Sequence, residues 1–280
     1  MKKLILFIVI CLIPVSVIEA KGKKCKMNIA SFNLRMDTDY DKENAWKYRK
    51  DFACALIAFH DFDIFGTQEG FAHQLKDLTE NGKYSYVGVG RDDGKSEGEH
   101  SAIIYKTNRF TVLKQGNFWF SETPEEPSFG WDAKIRRICS WAQFKDKVSG
   151  KKFYFFNVHY DHIAPTARRE SSKLLLQRIK DIAGNQPVFC TGDFNAEETS
   201  EPIQIIYDDG LLKDSYRITA TAPYGPVGTW HDYSLDTKYD RIDYIFVTDG
   251  ISIHKYGALP DNVHRKTPSD HYPIMVEAEF

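Results

Sequence analysis

Short apolar runs, most of them too short for a helix, recur along this chain and tend to stop on a polar side chain. The sharpest case is Val188-Phe189-Cys190-Thr191, which follows Pro187 and reads as a buried strand. It breaks at Gly192 and leaves Asp193 and Asn195 at the strand's end. In extended geometry residues two apart share a face, so a carboxylate and an amide project side by side. Such a pair can take a proton from water and donate a hydrogen bond to a phosphate oxygen, although a simple Asx turn at a strand end uses the same letters.

The same pattern repeats elsewhere. Residues 26–34 alternate as a strand closing on Asn33, and 61–66 form a second strand followed by Gln68-Glu69. Strands are expected over 84–90, 101–106, 110–113 and 136–144, the last containing Arg137, a cation that needs an anion partner or a surface face. The aromatic run 152–158 stops at His159-Tyr160-Asp161-His162, and 241–247 carries Asp243 inside an apolar strand, costly unless paired or metal-bound. Ser269-Asp270-His271 precedes a last strand over 272–280, whose alternation leaves one wet face. Helical periodicity predicts helices over 45–60, 71–80, 166–183 and 203–211, closed by Gly184 and Gly210 in the last two cases. The Gly-rich stretch 91–100 is expected to be a loop, and 116–131 to be irregular. Asp37, Asp39 and Asp41 are spaced like the start of a calcium loop, but the required Gly and late Glu are missing.

Strand ends that converge can build one site, here with Asn33, Glu69, His159, Asp193, Asn195, Asp243, Asp270 and His271. Oxygen donors dominate this set, which favours Mg²⁺, Mn²⁺ or Ca²⁺ over zinc. Histidines beside carboxylates add acid–base capacity and positive charge. The combination suits hydrolysis of a phosphate ester.

Composition changes the picture in two places. Met1-Lys2-Lys3 followed by the apolar residues 4–17 and the small Ala20 reads as a signal peptide over 1–20, too short to span a bilayer. Export to the periplasm or the exterior is therefore expected, with residues 21–280 as a single domain and no transmembrane anchor. Removing 1–20 takes away Lys2, Lys3 and Glu19 and leaves 35 basic and 38 acidic side chains, a net charge of −3. That is not the footprint of a protein that coats nucleic acid through bulk charge. The remaining Cys25, Cys54, Cys139 and Cys190 form no CxxC pair, which argues against structural zinc; the last three sit in apolar segments and read as core.

As an ordered set, Phe32-Asn33, Gln68-Glu69, Asn157-Val158-His159, Gly192-Asp193-Phe194-Asn195, Asp243-Tyr244 and Ser269-Asp270-His271 resemble the endonuclease/exonuclease/phosphatase superfamily. The match runs from about Met27 to Phe280. The resemblance implies an α/β architecture, a four-layer DNase I-like sandwich of two packed, mainly antiparallel sheets flanked by helices. It implies a cation, Mg²⁺ or Mn²⁺, held by Glu69 with Asn33 and Asp270. It makes Asp193 the group that orients or deprotonates the attacking water, with Asn195 beside it. His159 and His271 would bind or protonate phosphate oxygens, Asp243 orienting His159 and Asp270 orienting His271. Arg137 matches a phosphate-contacting position.

Within the superfamily the chain is most similar to the exonuclease- and deadenylase-like branch and to a secreted bacterial group carrying Asn44-Ala45-Trp46 and Arg49. The Trp-Cys-Asp-Arg signature of inositol phosphatases is replaced by Lys238-Tyr239-Asp240-Arg241, and no apolar membrane-binding hairpin is evident. The expected activity is a secreted, metal-dependent phosphodiesterase, nuclease or phosphatase. The substrate is left open between nucleic acid, nucleotide, phospholipid head group and sugar phosphate, and no obligate protein partner is evident. A secreted binding module without catalysis would have lost Glu69, Asp193 or His271, and all three are present.

Overall fold

In the computed structural model, which describes residues 24–235 and 240–280, the period-two segments become strands of two six-stranded sheets. In chain order the strands are β1 (Lys26–Asn33), β2 (Ile64–Gln68), β3 (Tyr84–Val87), β4 (Ile103–Lys106), β5 (Phe110–Trp119) and β6 (Ile138–Asp146). They continue with β7 (Lys152–His159), β8 (Val188–Asp193), β9 (Lys213–Asp214), β10 (Asp243–Val247), β11 (Ser252–Ala258) and β12 (Ile274–Glu279). One sheet runs β11-β12-β1-β2-β4-β3 and the other β5-β6-β7-β8-β10-β9. The export signal over 1–20 and the Lys238-Tyr239 pair lie outside the described residues. None of the described helices is long and apolar enough to cross a membrane.

Each sheet is antiparallel except at its centre, where β1 lies parallel to β2 and β7 parallel to β8. A parallel pair needs a crossover, and a helix supplies it both times: α1 (Trp46–Phe59) between β1 and β2, and α3 (Pro165–Ala183) between β7 and β8. Parallel pairing brings two carboxyl ends to the same edge. Asn33 and Gln68 therefore sit side by side, as do His159 and Asp193.

Three apolar clusters build four layers. Trp46, Ala53, Leu56 and Ile57 of α1, with Leu75 and Leu78 of α2 (Ala72–Thr79), cover one sheet through Ala30, Phe32 and Phe65. Leu175 and Ile179 of α3, with Ile203 and Ile206 of α4 (Glu201–Asp209), cover the other through Phe156, Cys190 and Phe246. Between the sheets lie Ile29, Ile64, Phe155, Phe189 and Ile245. Burying such side chains contributes roughly 1.5–3 kcal/mol each.

The inner face changes character along the strands. Two residues beyond that apolar row come Ser31, Gly66, Asn157 and Thr191, and two further on come Asn33, Gln68, His159 and Asp193, with Asp243, two residues before Ile245, opposite Asp193. The middle row is a polar network centred on Asn157, all of whose amide groups are paired. The Asn157 amide donates to the carbonyls of Thr67 (2.8 Å) and Ala102 (3.0 Å), and its oxygen accepts from Gln68 Nε2 (2.7 Å) and Thr191 Oγ1 (2.9 Å). Gly66 makes room for it: a Cβ there would stand 2.2 Å from Asn157 Oδ1 and from Thr191 Oγ1.

Two expectations change. The segment from Gly116, expected to be irregular, still belongs to β5 up to Trp119. β5 is an edge strand with an exposed polar middle and a register shift between Val112 and Lys114, so alternation fails there. β11 escaped notice for the same reason, with a shift between Ile253 and Lys255 on the other sheet's edge. The four cysteines among the described residues are free, three of them buried and Cys54 half-buried.

Asn157→Ala removes four hydrogen bonds from a buried layer and should cost about 3–5 kcal/mol in denaturant unfolding. A cost below about 1 kcal/mol would show that the two sheets do not depend on this amide.

Candidate active site

Pairing register, more than loop conformation, assembles the site. His159 stands opposite Asp193 on β7–β8, and Asp193 opposite Asp243 on β8–β10, so three titratable side chains share one rung. On the facing sheet Asn33 pairs with Gln68, and the chain then turns so that Glu69 adopts a left-handed φ of 62°. Asn195 (φ 47°) and Arg35 (φ 55°) do the same just beyond β8 and β1. Non-glycine residues held there carry a backbone cost and cluster at functional sites. His271 arrives from the segment leading into β12, bridged to Trp230.

Asp193 is the hub. Its Oδ1 accepts the Asn195 backbone N–H (2.9 Å) and its Oδ2 accepts Asn33 Nδ2 (3.0 Å). The same Oδ2 lies 3.7 Å from His159 Nε2 and 3.8 Å from His271 Nε2. Glu69 accepts from the same Asn33 amide (3.0 Å) and from the Met36 backbone N–H (3.1 Å). Asn195 anchors its own side chain by donating to the Tyr160 carbonyl (3.0 Å). Asn33, expected as an oxygen ligand, presents its NH₂ to the site, because its oxygen accepts the Arg35 backbone N–H (2.9 Å).

The two histidines have other partners than expected. His271 Nδ1 bonds Asp243 Oδ2 at 2.9 Å, and His159 Nδ1 lies 3.7 Å from Glu99 Oε2. Asp243 cannot orient His159, because Asp193 stands on the strand between them and two strand spacings come to about 10 Å. Asp270 does not orient His271. Its carboxylate sits 3.9 Å from Arg35 Nε and acts on His271 through charge, while the imidazole's hydrogen bond goes to Asp243. Glu99 itself lies in the 91–100 loop, where nothing in the letters separates it from a solvated surface glutamate; it is buried and paired with Arg91 at 2.7 Å.

Seven of the nine expected residues line one pocket of about 460 Å³: Glu69, Arg137, His159, Asp193, Asn195, Asp270 and His271. Asn33 and Asp243 stand behind it as hydrogen-bond partners. Arg35, Arg91, Glu99, His162 and Trp230 also line it. Arg137 is 4% exposed; it donates to His162 Nδ1 (2.8 Å), its Nε lies 3.6 Å from Asp161 Oδ2, and its Nη1 has no hydrogen-bond partner among the described residues.

The electrostatics sort these groups. Burial, reinforced by Asp243, pushes the Asp193 carboxyl up to about 7. Burial alone would strip the proton from His271, but Asp243, Asp193 and Asp270 outweigh it and hold the imidazolium well above its ordinary range. His159 goes the other way, kept neutral by burial and by Arg137 and Arg91. Glu69 resists burial through His271, Asn33, the Met36 N–H and Arg35, and stays below its usual value. One base with a pKa near neutrality beside one permanent cation suits proton transfer at a phosphate.

The donor set fits a hard divalent cation. Glu69, His159 and Asp193 offer ligand atoms within 4.8 Å of one another. Glu69 and Asp270 also flank a single guanidinium, that of Arg35, at 3.9 Å each, so the pair already balances a positive charge. Glu69 belongs to both sets and is partly exposed to the pocket.

Asp243→Asn should bring the His271 titration down toward ordinary values in NMR of metal-free protein, whereas Asp270→Asn should leave the Nδ1 hydrogen bond intact. The opposite ranking would refute the pairing. The raised Asp193 pKa means the folded protein keeps a proton that the unfolded chain has lost. That site therefore opposes folding above pH 7 and ceases to do so below the unfolded carboxyl pKa of about 3.9. Asp193→Asn should raise Tm in EDTA at pH 8 by roughly 2–4 °C, the gain shrinking toward pH 4; a drop at pH 8 counts against it.

Comparison with known proteins agrees with this geometry. Residues 30–271 match the model of the Endonuclease/Exonuclease/phosphatase family. An endonuclease/exonuclease/phosphatase family protein from Bacteroides thetaiotaomicron superposes with a TM-score of 0.88 at 43% identity, covering 92% of this chain and 99% of that one. A mannosyl-6-phosphatase from the same species gives 0.87 at 43% identity, over 91% of this chain and 100% of that one. An uncharacterized protein of Acanthamoeba polyphaga mimivirus is 31% identical over 266 residues, 85% of this chain and 94% of its own length. The two mixed sheets, the helical layers and the clustered carboxylates and histidines are those of a divalent-metal-dependent phosphoric ester hydrolase, and the chain belongs to the endonuclease/exonuclease/phosphatase family.

Proposed function

We propose that the protein is a Mg²⁺- or Mn²⁺-dependent phosphomonoesterase acting on a phosphorylated sugar or similar alcohol, exported by its N-terminal segment. The observation that carries the phosphomonoester reading is Arg137. A buried guanidinium whose Nη1 has no hydrogen-bond partner, and whose Nε has only the Asp161 carboxylate at 3.6 Å, has room for a further acceptor, and Arg91 and His162 line the pocket with it. Arg91 and Arg137 give the pocket a cationic wall, and His162, its pKa lowered by burial and by Arg137, is a neutral hydrogen-bonding neighbour. A terminal phosphate, with three free oxygens and one ester link, suits such a wall better than a diester, which must extend both ways. The 43% identity to a mannosyl-6-phosphatase supports the same reading.

Glu69 with Asp270 would hold the cation, which would neutralise phosphate charge as a Lewis acid. Asp193, with a pKa near 7, accepts the proton of the attacking water while Asn195 and Asn33 fix the carboxylate's orientation. The His271 imidazolium, held by Asp243, faces the same point and stabilises charge on the phosphate oxygens. Neutral His159 donates or accepts a hydrogen bond there, and Arg137 binds the remaining oxygens.

Purified protein should release phosphate from hexose phosphates with Mg²⁺ or Mn²⁺ and not with EDTA. Asp193→Ala should lower kcat by about 10²-fold or more, and Arg137→Met should act mainly on KM, by roughly tenfold. Faster cleavage of bis-p-nitrophenyl phosphate, DNA or RNA than of any monoester would sink the reading.

A further inference from the structure

Asp37, Asp39 and Asp41, spaced like the start of a calcium loop, part company in the fold. Asp39 is exposed, and Asp37 accepts the Trp46 backbone N–H (3.2 Å) and lies 2.9 Å from His73 Nε2. Asp41 instead clamps Arg35 with a two-pronged ion pair, Nε donating to Oδ2 and Nη2 to Oδ1, both at 2.9 Å.

The clamp leaves the rest of the guanidinium beside the acids of the site. Nη1 lies 3.9 Å from Glu69 Oε2, and Nε lies 3.9 Å from Asp270 Oδ2. Among the described residues no other cationic group comes within 4.0 Å of either carboxylate. At that distance charge is felt but no hydrogen bond forms. Arg35 therefore balances the two acids without filling the lone pairs that a metal would take.

Two effects oppose each other here. A fixed cation keeps Glu69 and Asp270 ionised, which favours metal uptake. The same cation repels a divalent ion held by those carboxylates. Repulsion is the larger effect wherever the acids are ionised in any case, because the ion carries two charges and each carboxylate one. Asp41 offsets it only in part, since Asp41 is bound along the Nε–Nη2 edge while Nη1 is the atom nearest Glu69.

We infer that Arg35 is a built-in competitor for the divalent cation: it holds the affinity of the Glu69–Asp270 pair below what the two carboxylates would give alone, and Asp41 keeps it in place. That role presumes the cation reading of Glu69 and Asp270 and holds for any substrate. A centre tuned in this way follows the supply of its ion by mass action.

The turn at Arg35 does not depend on the guanidinium–Asp41 pair. Its backbone N–H donates to Asn33 Oδ1 (2.9 Å), and its carbonyl accepts from Gln74 Nε2 (2.9 Å) and Arg49 Nη2 (2.7 Å). Arg35→Met thus removes the charge and leaves these bonds. Mn²⁺ binding to substrate-free protein at pH 8, read from the EPR signal of the free ion, needs no turnover. Arg35→Met should bind Mn²⁺ about tenfold more tightly than the wild type, a size usual for groups next to a metal's ligands. Arg35→Lys, which keeps the charge, should stay near the wild type, and Asp41→Asn, which removes the counter-charge, should bind more weakly. In thermal melts Arg35→Met should fall below the wild type in EDTA, and Mn²⁺ should raise its Tm by more than it raises that of the wild type. Unchanged or weaker binding by Arg35→Met, or equal tightening by Arg35→Lys, overturns the competitor role while the cation reading stands. Binding by neither the wild type nor Arg35→Met, or undiminished binding by Glu69→Gln, overturns the cation reading and this role with it.

Discussion

The amide of Asn157 holds the two sheets together at the level where the interior stops being apolar. Below it the sandwich is closed by Ile29, Ile64, Phe155, Phe189 and Ile245, and above it by ionisable groups. A change from hydrocarbon to charge within two residues per strand favours a polar residue there whose own donors and acceptors are met, because an unpaired amide would cost about as much as several apolar contacts return. Asn157 meets that condition with four partners drawn from both sheets, one of them Gln68, the residue before Glu69. The distance between Glu69 on one sheet and Asp193 on the other is thus fixed from below by a network that takes no part in the chemistry.

Above that layer the charges hold each other in place. Asp193, Asp243, Glu69 and Asp270 are crowded acids, and such a cluster would neutralise itself by taking up protons if nothing opposed it. His271 opposes it from within and Arg35 from the rim. The result is unequal: Glu69 stays ionised, Asp193 titrates near 7, and of the two histidines one is charged and the other neutral. Chemically similar side chains thereby take different roles, set by which neighbour each faces.

The pocket also concentrates charge of both signs. Arg35, Arg91 and Arg137 line it together with Glu69, Glu99, Asp193 and Asp270. A net charge near zero for the whole chain conceals this clustering, so bulk charge says little about what the site selects.

The sequence by itself determined which strands exist in the centre of each sheet and which polar residues close them. Period-two burial and the positions of Asn33, Glu69, His159, Asp193 and Asp243 at strand ends are local properties, readable from spacing because a strand's faces alternate strictly. Edge strands were harder to see: β5 and β11 carry register shifts and exposed polar residues that break the alternation. Only the tertiary structure decided who pairs with whom. Asp270 is adjacent to His271 in the chain, yet Asp243, 28 residues away, holds the imidazole. Glu99 looked like any loop glutamate until folding buried it beside Arg91 and His159. Letters and spacing give the direction in which each side chain leaves its own strand; the partner it meets depends on the register between strands and on the packing of two sheets, which are set by contacts far apart in sequence.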